Sequence, residues 1–147
     1  MQQVRQERSG WRDLGLSLRH RQWGVACSAF DIDFLLVECS RAVPMAIIEY
    51  KRSGGKEPTL AQLAALRTLA TDAKIAFYVA WYTEGCRHFW LEPHNQKAWQ
   101  LVRNEPHAPR CWWDELSFVT FLHRIRGVAV PPDVAAGLYS EAAEAWN

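Results

Sequence analysis

Four charged residues stand at the ends of two apolar runs. Asp31 and Asp33 open Asp31-Ile-Asp-Phe-Leu-Leu-Val-Glu-Cys39, and Glu49 and Lys51 close Pro44-Met-Ala-Ile-Ile-Glu-Tyr-Lys-Arg52. The runs are rich in β-branched and aromatic residues and are separated by Ser40-Arg-Ala-Val43, so they read as antiparallel strands joined by a turn. Charges set into buried strands are costly unless something compensates them. Carboxylates gathered on one face suit a hard divalent cation, which binds through oxygen.

Alternation places residues two apart on the same face of a strand. Asp31 and Asp33 then share one face, as do Glu49 and Lys51, while Ile48 and Tyr50 point the other way. A hairpin folded about Arg41 sets Asp33 opposite Glu49 and Asp31 opposite Lys51. Directly opposed side chains have Cβ atoms about 4.5–5.5 Å apart. Two carboxylates at that separation repel unless one is protonated or a cation lies between them.

The elements that must hold these residues follow from pattern. A helix is expected over Trp11–Trp23, opened by Ser9 or Gly10 and stopped by Gly24, with an apolar stripe through Trp11, Leu14 and Leu18. Residues 25–30 read as a short strand or an irregular lead-in. Arg52-Ser-Gly-Gly-Lys-Glu-Pro58 is a loop by composition, and Thr59 caps a helix from Leu60 to about Ala73. Its buried face is expected at Leu60, Leu63, Leu66 or Arg67, and Leu69-Ala70. Ile75–Tyr82 is a strand that a crossover would make parallel to its predecessor. Gly85 marks a turn before a strand over Arg87–Glu92, and Trp99–Val102 reads as a further strand. Asn104–Arg110 is a loop, Asp114 caps a helix ending at Gly127, and Pro131 begins a last helix. The fold class is α/β, a mixed sheet flanked by helices.

At 147 residues the chain is expected to form one domain, 1–147, with about half its residues hydrophobic. It has no apolar run long enough to span a membrane and its first residues lack a signal-peptide core, so a cytoplasmic location is expected. Four cysteines form no CxxC pair, and no histidine is spaced to complete a zinc site, so free thiols are expected. Net charge is only +1, but residues 1–24 carry +3 and residues 133–147 carry −3, which leaves room for a phosphate-binding face.

The Asp33 and Glu49-Tyr50-Lys51 arrangement resembles the PD-(D/E)xK nuclease superfamily, whose fold is restriction-endonuclease-like. A closer likeness is to short bacterial and phage proteins that carry HRxWG, DIDF and PxAxIEYK, here His20-Arg-Gln-Trp-Gly24, Asp31-Ile-Asp-Phe34 and Pro44-Met-Ala-Ile-Ile-Glu-Tyr-Lys51. The resemblance implies a core over about residues 9–82 (helix, three-strand meander, helix, strand) and an extension over 83–147. It implies a Mg²⁺- or Mn²⁺-dependent nuclease acting on phosphodiester bonds, DNA favoured. Asp33, Glu49 and the Tyr50 backbone carbonyl would be metal ligands, and Asp33, Glu49 and Lys51 the catalytic set. Gln62 falls where the superfamily often keeps a glutamine, and Asp31 would be a second acid or a salt-bridge partner of Lys51. Dimerisation is expected by analogy of fold alone.

Outside that set, Arg19, His20, Arg21 and Lys56 are candidate phosphate contacts, set against plain solvated surface. The eight tryptophans are expected mostly in the core, with base stacking reserved for an exposed ring beside a basic face. The prolines usual before the first acid are absent, since Phe30 precedes Asp31 and Ile32 precedes Asp33. With the near-neutral charge, this favours a rival reading, a non-catalytic nucleic-acid-binding or interaction protein on the same fold. A third reading is a buried ion-pair network in a purely structural sheet.

Overall fold

A computed structural model of the chain describes residues 14–27, 29–105 and 111–145, without the side chain of Cys27. Its centre is a five-stranded sheet in the order β1-β2-β3-β4-β5. These strands are β1 (Phe34–Glu38), β2 (Val43–Arg52), β3 (Ala76–Tyr82), β4 (His88–Pro93) and β5 (Trp112–Asp114). Only β2 and β3 run parallel, and every other neighbouring pair is antiparallel. The parallel pair follows from the helix between its strands, α2 (Leu60–Asp72), because a parallel return needs a crossover. The fold is therefore α/β with a mixed sheet. Among the described residues only two strands precede α2, where the resemblance implies three, and residues 25–27 form a 3₁₀ turn instead.

The two faces of the sheet carry separate cores. On one, Ile47, Phe77 and Val79 pack with Ile75 against Leu66 and Ala70 of α2. On the other, Ile48, Tyr78, Ala80, Phe89, Leu91 and Trp113 meet Ala98 and Val102 of α3 (Gln96–Val102) and Phe118 and Phe121 of α4 (Glu115–Arg124). Period-two alternation along β2 explains the split: odd residues face α2 and even residues face α4. Full burial of a residue such as Leu66 contributes about 1.5–3 kcal/mol.

Several expectations change. The aspartates lie just before β1 rather than within it. Of the first helix, α1 (Leu14–Gln22) is described, and its stripe is not a core face: Leu14 and Leu18 are both exposed. Trp11 and the expected caps Ser9 and Gly10 lie outside the described residues. In α2, Leu66 and Ala70 are buried, but Leu60 and Leu69 face solvent. Trp99–Val102 is helical, because Asn95 caps α3 by accepting from Ala98 N at 3.0 Å and Ala98 and Val102 then share one buried face. The residues after Pro131 form two short helices, α5 (Pro132–Ala136) and α6 (Glu141–Glu144). Asp114 caps α4 through Ser117 N at 2.9 Å, as its position predicts. The thiols of Cys39 and Cys86 are free.

Candidate functional site

The pairing of β1 with β2 fixes the site. Phe34 lies opposite Ile48, Leu35 opposite Ile47 and Leu36 opposite Ala46, and continuing that ladder sets Asp33 opposite Glu49. The turn itself is centred half a residue earlier than Arg41, since Glu38 pairs with Val43. A bulge between Leu36 and Val37 restores the offset by leaving Met45 unmatched. Pro44 sits at this irregularity, where a residue without an N–H is tolerated.

β1 stops at Phe34, and a side chain continues its ladder. Asp33 Oδ2 accepts the N–H of Tyr50 at 3.0 Å, in place of a backbone carbonyl. That bond uses one of the two Asp33 oxygens. In an extended strand the N–H and C=O of one residue point to the same side, so the Tyr50 carbonyl is directed toward this edge too. The Tyr50 ring lies on the opposite face, edge-on to Phe34 and Phe118. Burial, with Cys86 and Asp33 adding to it, pushes its phenol well above the ordinary range.

Glu49 is the buried charge of the sheet, at 1% exposure. It stands on the α2 face, with Ile47 one step down the strand and Lys51 one step up. Its Oε1 is 2.9 Å from Lys51 Nζ and accepts from Gln62 Nε2 at 3.1 Å. Its Oε2 is buried with no hydrogen-bond partner among the described residues. Gln62 reaches Glu49 because of how α2 begins. Thr59 Oγ1 accepts from Gln62 N at 3.2 Å, the first half of a capping box, but the glutamine side chain turns to Glu49 rather than back to the cap. Gly54, at φ +80°, supplies the left-handed residue in the loop that leads there from β2.

The structure thus brings Glu49, Lys51 and Gln62 into contact and places Asp33 on the adjoining backbone. Asp31 is exposed beyond the end of β1. Arg19 and Arg21 are exposed and His20 packs on Trp23, all on a helix that buries none of its residues. Lys56 is exposed in the loop before α2. Among the described residues, no three His, Cys, Asp or Glu side chains gather as a metal-holding group. The ligand set that the resemblance implies would consist of the Asp33 and Glu49 carboxylates and the Tyr50 backbone carbonyl.

Sequence reasoning passed over the neighbours of this cluster across the sheet. Lys51 pairs with Trp81, Trp81 with Trp90, and Trp90 with Trp112, so one row on the α2 face runs from the lysine through three indoles. Glu92, one row down beside Val79, accepts from Trp81 Nε1 at 3.0 Å. Its other oxygen faces His94 Nε2 at 3.3 Å. Parity along each strand was the available signal, but it needed β5, which Trp112-Trp113 does not announce.

Comparison of the chain with protein-family models, with curated proteins and with solved structures finds no match. The class defined by fold and site is an α/β protein with a mixed five-stranded sheet and a Glu-x-Lys pair whose glutamate is buried. No helix among the described residues is long and apolar enough to cross a membrane.

Proposed function

We propose that this chain is a metal-dependent nuclease on a restriction-endonuclease-like fold, hydrolysing phosphodiester bonds with DNA as the favoured substrate. The observation that carries the reading is the carboxylate of Glu49. Lys51 and Gln62 share one of its oxygens, while the other is buried with no partner among the described residues. A buried unpaired acceptor costs about 1–3 kcal/mol, more when charged. A divalent cation at that oxygen would offset the cost.

Glu49 Oε2, the second oxygen of Asp33 and the Tyr50 carbonyl would hold Mg²⁺ or Mn²⁺. When bound, such an ion supplies Lewis-acid polarisation of a phosphoryl oxygen and activation of water. Gln62 fixes the rotamer of Glu49, and Asp33 fixes the backbone at Tyr50. The Lys51 side chain is 23% exposed and its ammonium is tethered to Glu49, and in this reading it meets an incoming phosphate. There it balances the negative charge that grows on the phosphate during hydrolysis.

A second reading is a protein that binds nucleic acid on this face without turnover, with the partly exposed Lys51 as a phosphate contact. Incubation of plasmid, branched and single-stranded DNA with Mg²⁺ or Mn²⁺ separates the two. Cleavage that Lys51→Ala removes supports the nuclease. Tight binding without cleavage, unchanged in Asp33→Asn, supports the binding protein.

A further inference from the structure

The row that starts at Lys51 continues through Trp81, Trp90 and Trp112 on three adjacent strands. At about 4.8 Å per strand it extends about 15 Å from the lysine to the sheet edge. α2 packs mainly on the preceding rows, against Ile47, Phe77 and Val79, and Trp81 leans on that cluster, so the open part of the row lies toward Trp90 and Trp112. The indoles are only partly buried, and Trp112 at the edge is 41% exposed. Two contacts fix ring orientation: Trp81 Nε1 is tied to Glu92 Oε1, and Trp90 and Trp112 meet edge-on at 5.7 Å.

We propose that this row is a stacking platform for unpaired bases, so that the polynucleotide reaches Glu49 and Lys51 as a single strand. The proposal rests on the nuclease reading for its substrate, but not on turnover. Aromatic side chains carry successive bases in single-strand binding, with cations along the backbone. Lys51 places a cation at the catalytic end of the row. Glu92, the acid beside the row, has both oxygens engaged by Trp81 and His94.

Area argues against a second protein chain as the occupant. Three indoles of about 150–250 Å² each, less than half exposed, fall well short of the about 800 Å² per partner of a stable interface. They match a few stacked bases.

The test uses a labelled 12-nucleotide DNA, as a single strand and as its duplex, titrated with the full chain in EDTA at one fixed salt concentration. The single strand is expected to bind at least tenfold more tightly than the duplex and to quench tryptophan fluorescence. Trp112→Ala should weaken single-strand binding about 5- to 150-fold, and Trp112→Phe should restore most of it. Trp90→Leu serves as a second variant if Trp112→Ala does not fold, and should weaken single-strand binding in the same way. Equal or tighter duplex binding overturns the platform, as does single-strand binding that Trp112→Ala leaves unchanged. So does a dimer in sedimentation that Trp112→Ala dissolves, which would make a second copy the occupant. Tryptophan-dependent binding with no cleavage on adding Mg²⁺ or Mn²⁺ overturns the nuclease and keeps the platform. Cleavage that Trp112→Ala does not slow does the reverse.

Discussion

Gln62 Nε2 lies 3.1 Å from Glu49 Oε1, joining the first turn of α2 to the C-terminal half of β2. The bond gives a helix-cap residue a second task, since its backbone is held by Thr59 while its side chain serves the sheet. Gln62→Leu keeps the backbone cap and removes the donor. The variant is expected to lose about 1–3 kcal/mol in urea unfolding, because a buried carboxylate is left with Lys51 alone. Gln62→Leu losing no stability would show that the bond does not hold Glu49.

Asp33 separates fold from charge. Asp33→Asn keeps an oxygen to accept the Tyr50 N–H, so its unfolding free energy should stay within about 0.5 kcal/mol of wild type, the range of a surface substitution. Asp33→Ala leaves that N–H without its acceptor and should cost about 1–3 kcal/mol. Both variants should lose cleavage, since neither carries the anionic oxygen.

Metal binding should appear as stability. An ion that binds only the folded chain at 100 times its dissociation constant raises unfolding free energy by about 2.7 kcal/mol. Thermal unfolding with added Mn²⁺ should shift upward for wild type and stay unchanged for Glu49→Gln.

The hairpin turn predicts a pH dependence of its own. Glu38 accepts from the Ser40 hydroxyl and N–H and from the N–H and side chain of Arg41. These bonds, the Ser40 hydroxyl foremost, hold its carboxyl down to about 2 from an ordinary value of 4.5. A pKa depressed by folding contributes stability above the unfolded value and loses it as pH falls toward the folded one. The stability gap between wild type and Glu38→Gln should therefore be constant above pH 5 and close between about pH 4.5 and 2. Urea unfolding across that range checks the sign.

Much of the candidate site was legible in the chain because strand parity is rigid. Odd positions of β2 had to share a face, and the Asp33–Glu49 register survived a displaced turn because one bulged residue, Met45, compensated it. Thr59 and Asp114 were readable as caps from residue type and position. Propensity failed where tertiary contacts decide. Trp99–Val102 has strand-like residues but follows a capping Asn95, and the Leu14–Leu18 stripe meets no core. The row of tryptophans was hidden for a different reason: its members are far apart in sequence, and only the β3-β4-β5 register aligns them.

The central claim is that Glu49 serves hydrolysis rather than sheet stability alone. Glu49→Gln tests it most directly, because a glutamine carbonyl can still accept from Lys51 and Gln62 while the anionic oxygen is gone. Cleavage of single-stranded and duplex DNA should be measured under single-turnover conditions with Mg²⁺ or Mn²⁺, with thermal unfolding of both proteins alongside. A folded Glu49→Gln with cleavage reduced at least a hundredfold is the predicted result. Cleavage equal to wild type, or no cleavage by wild type on any of these DNAs, would contradict it.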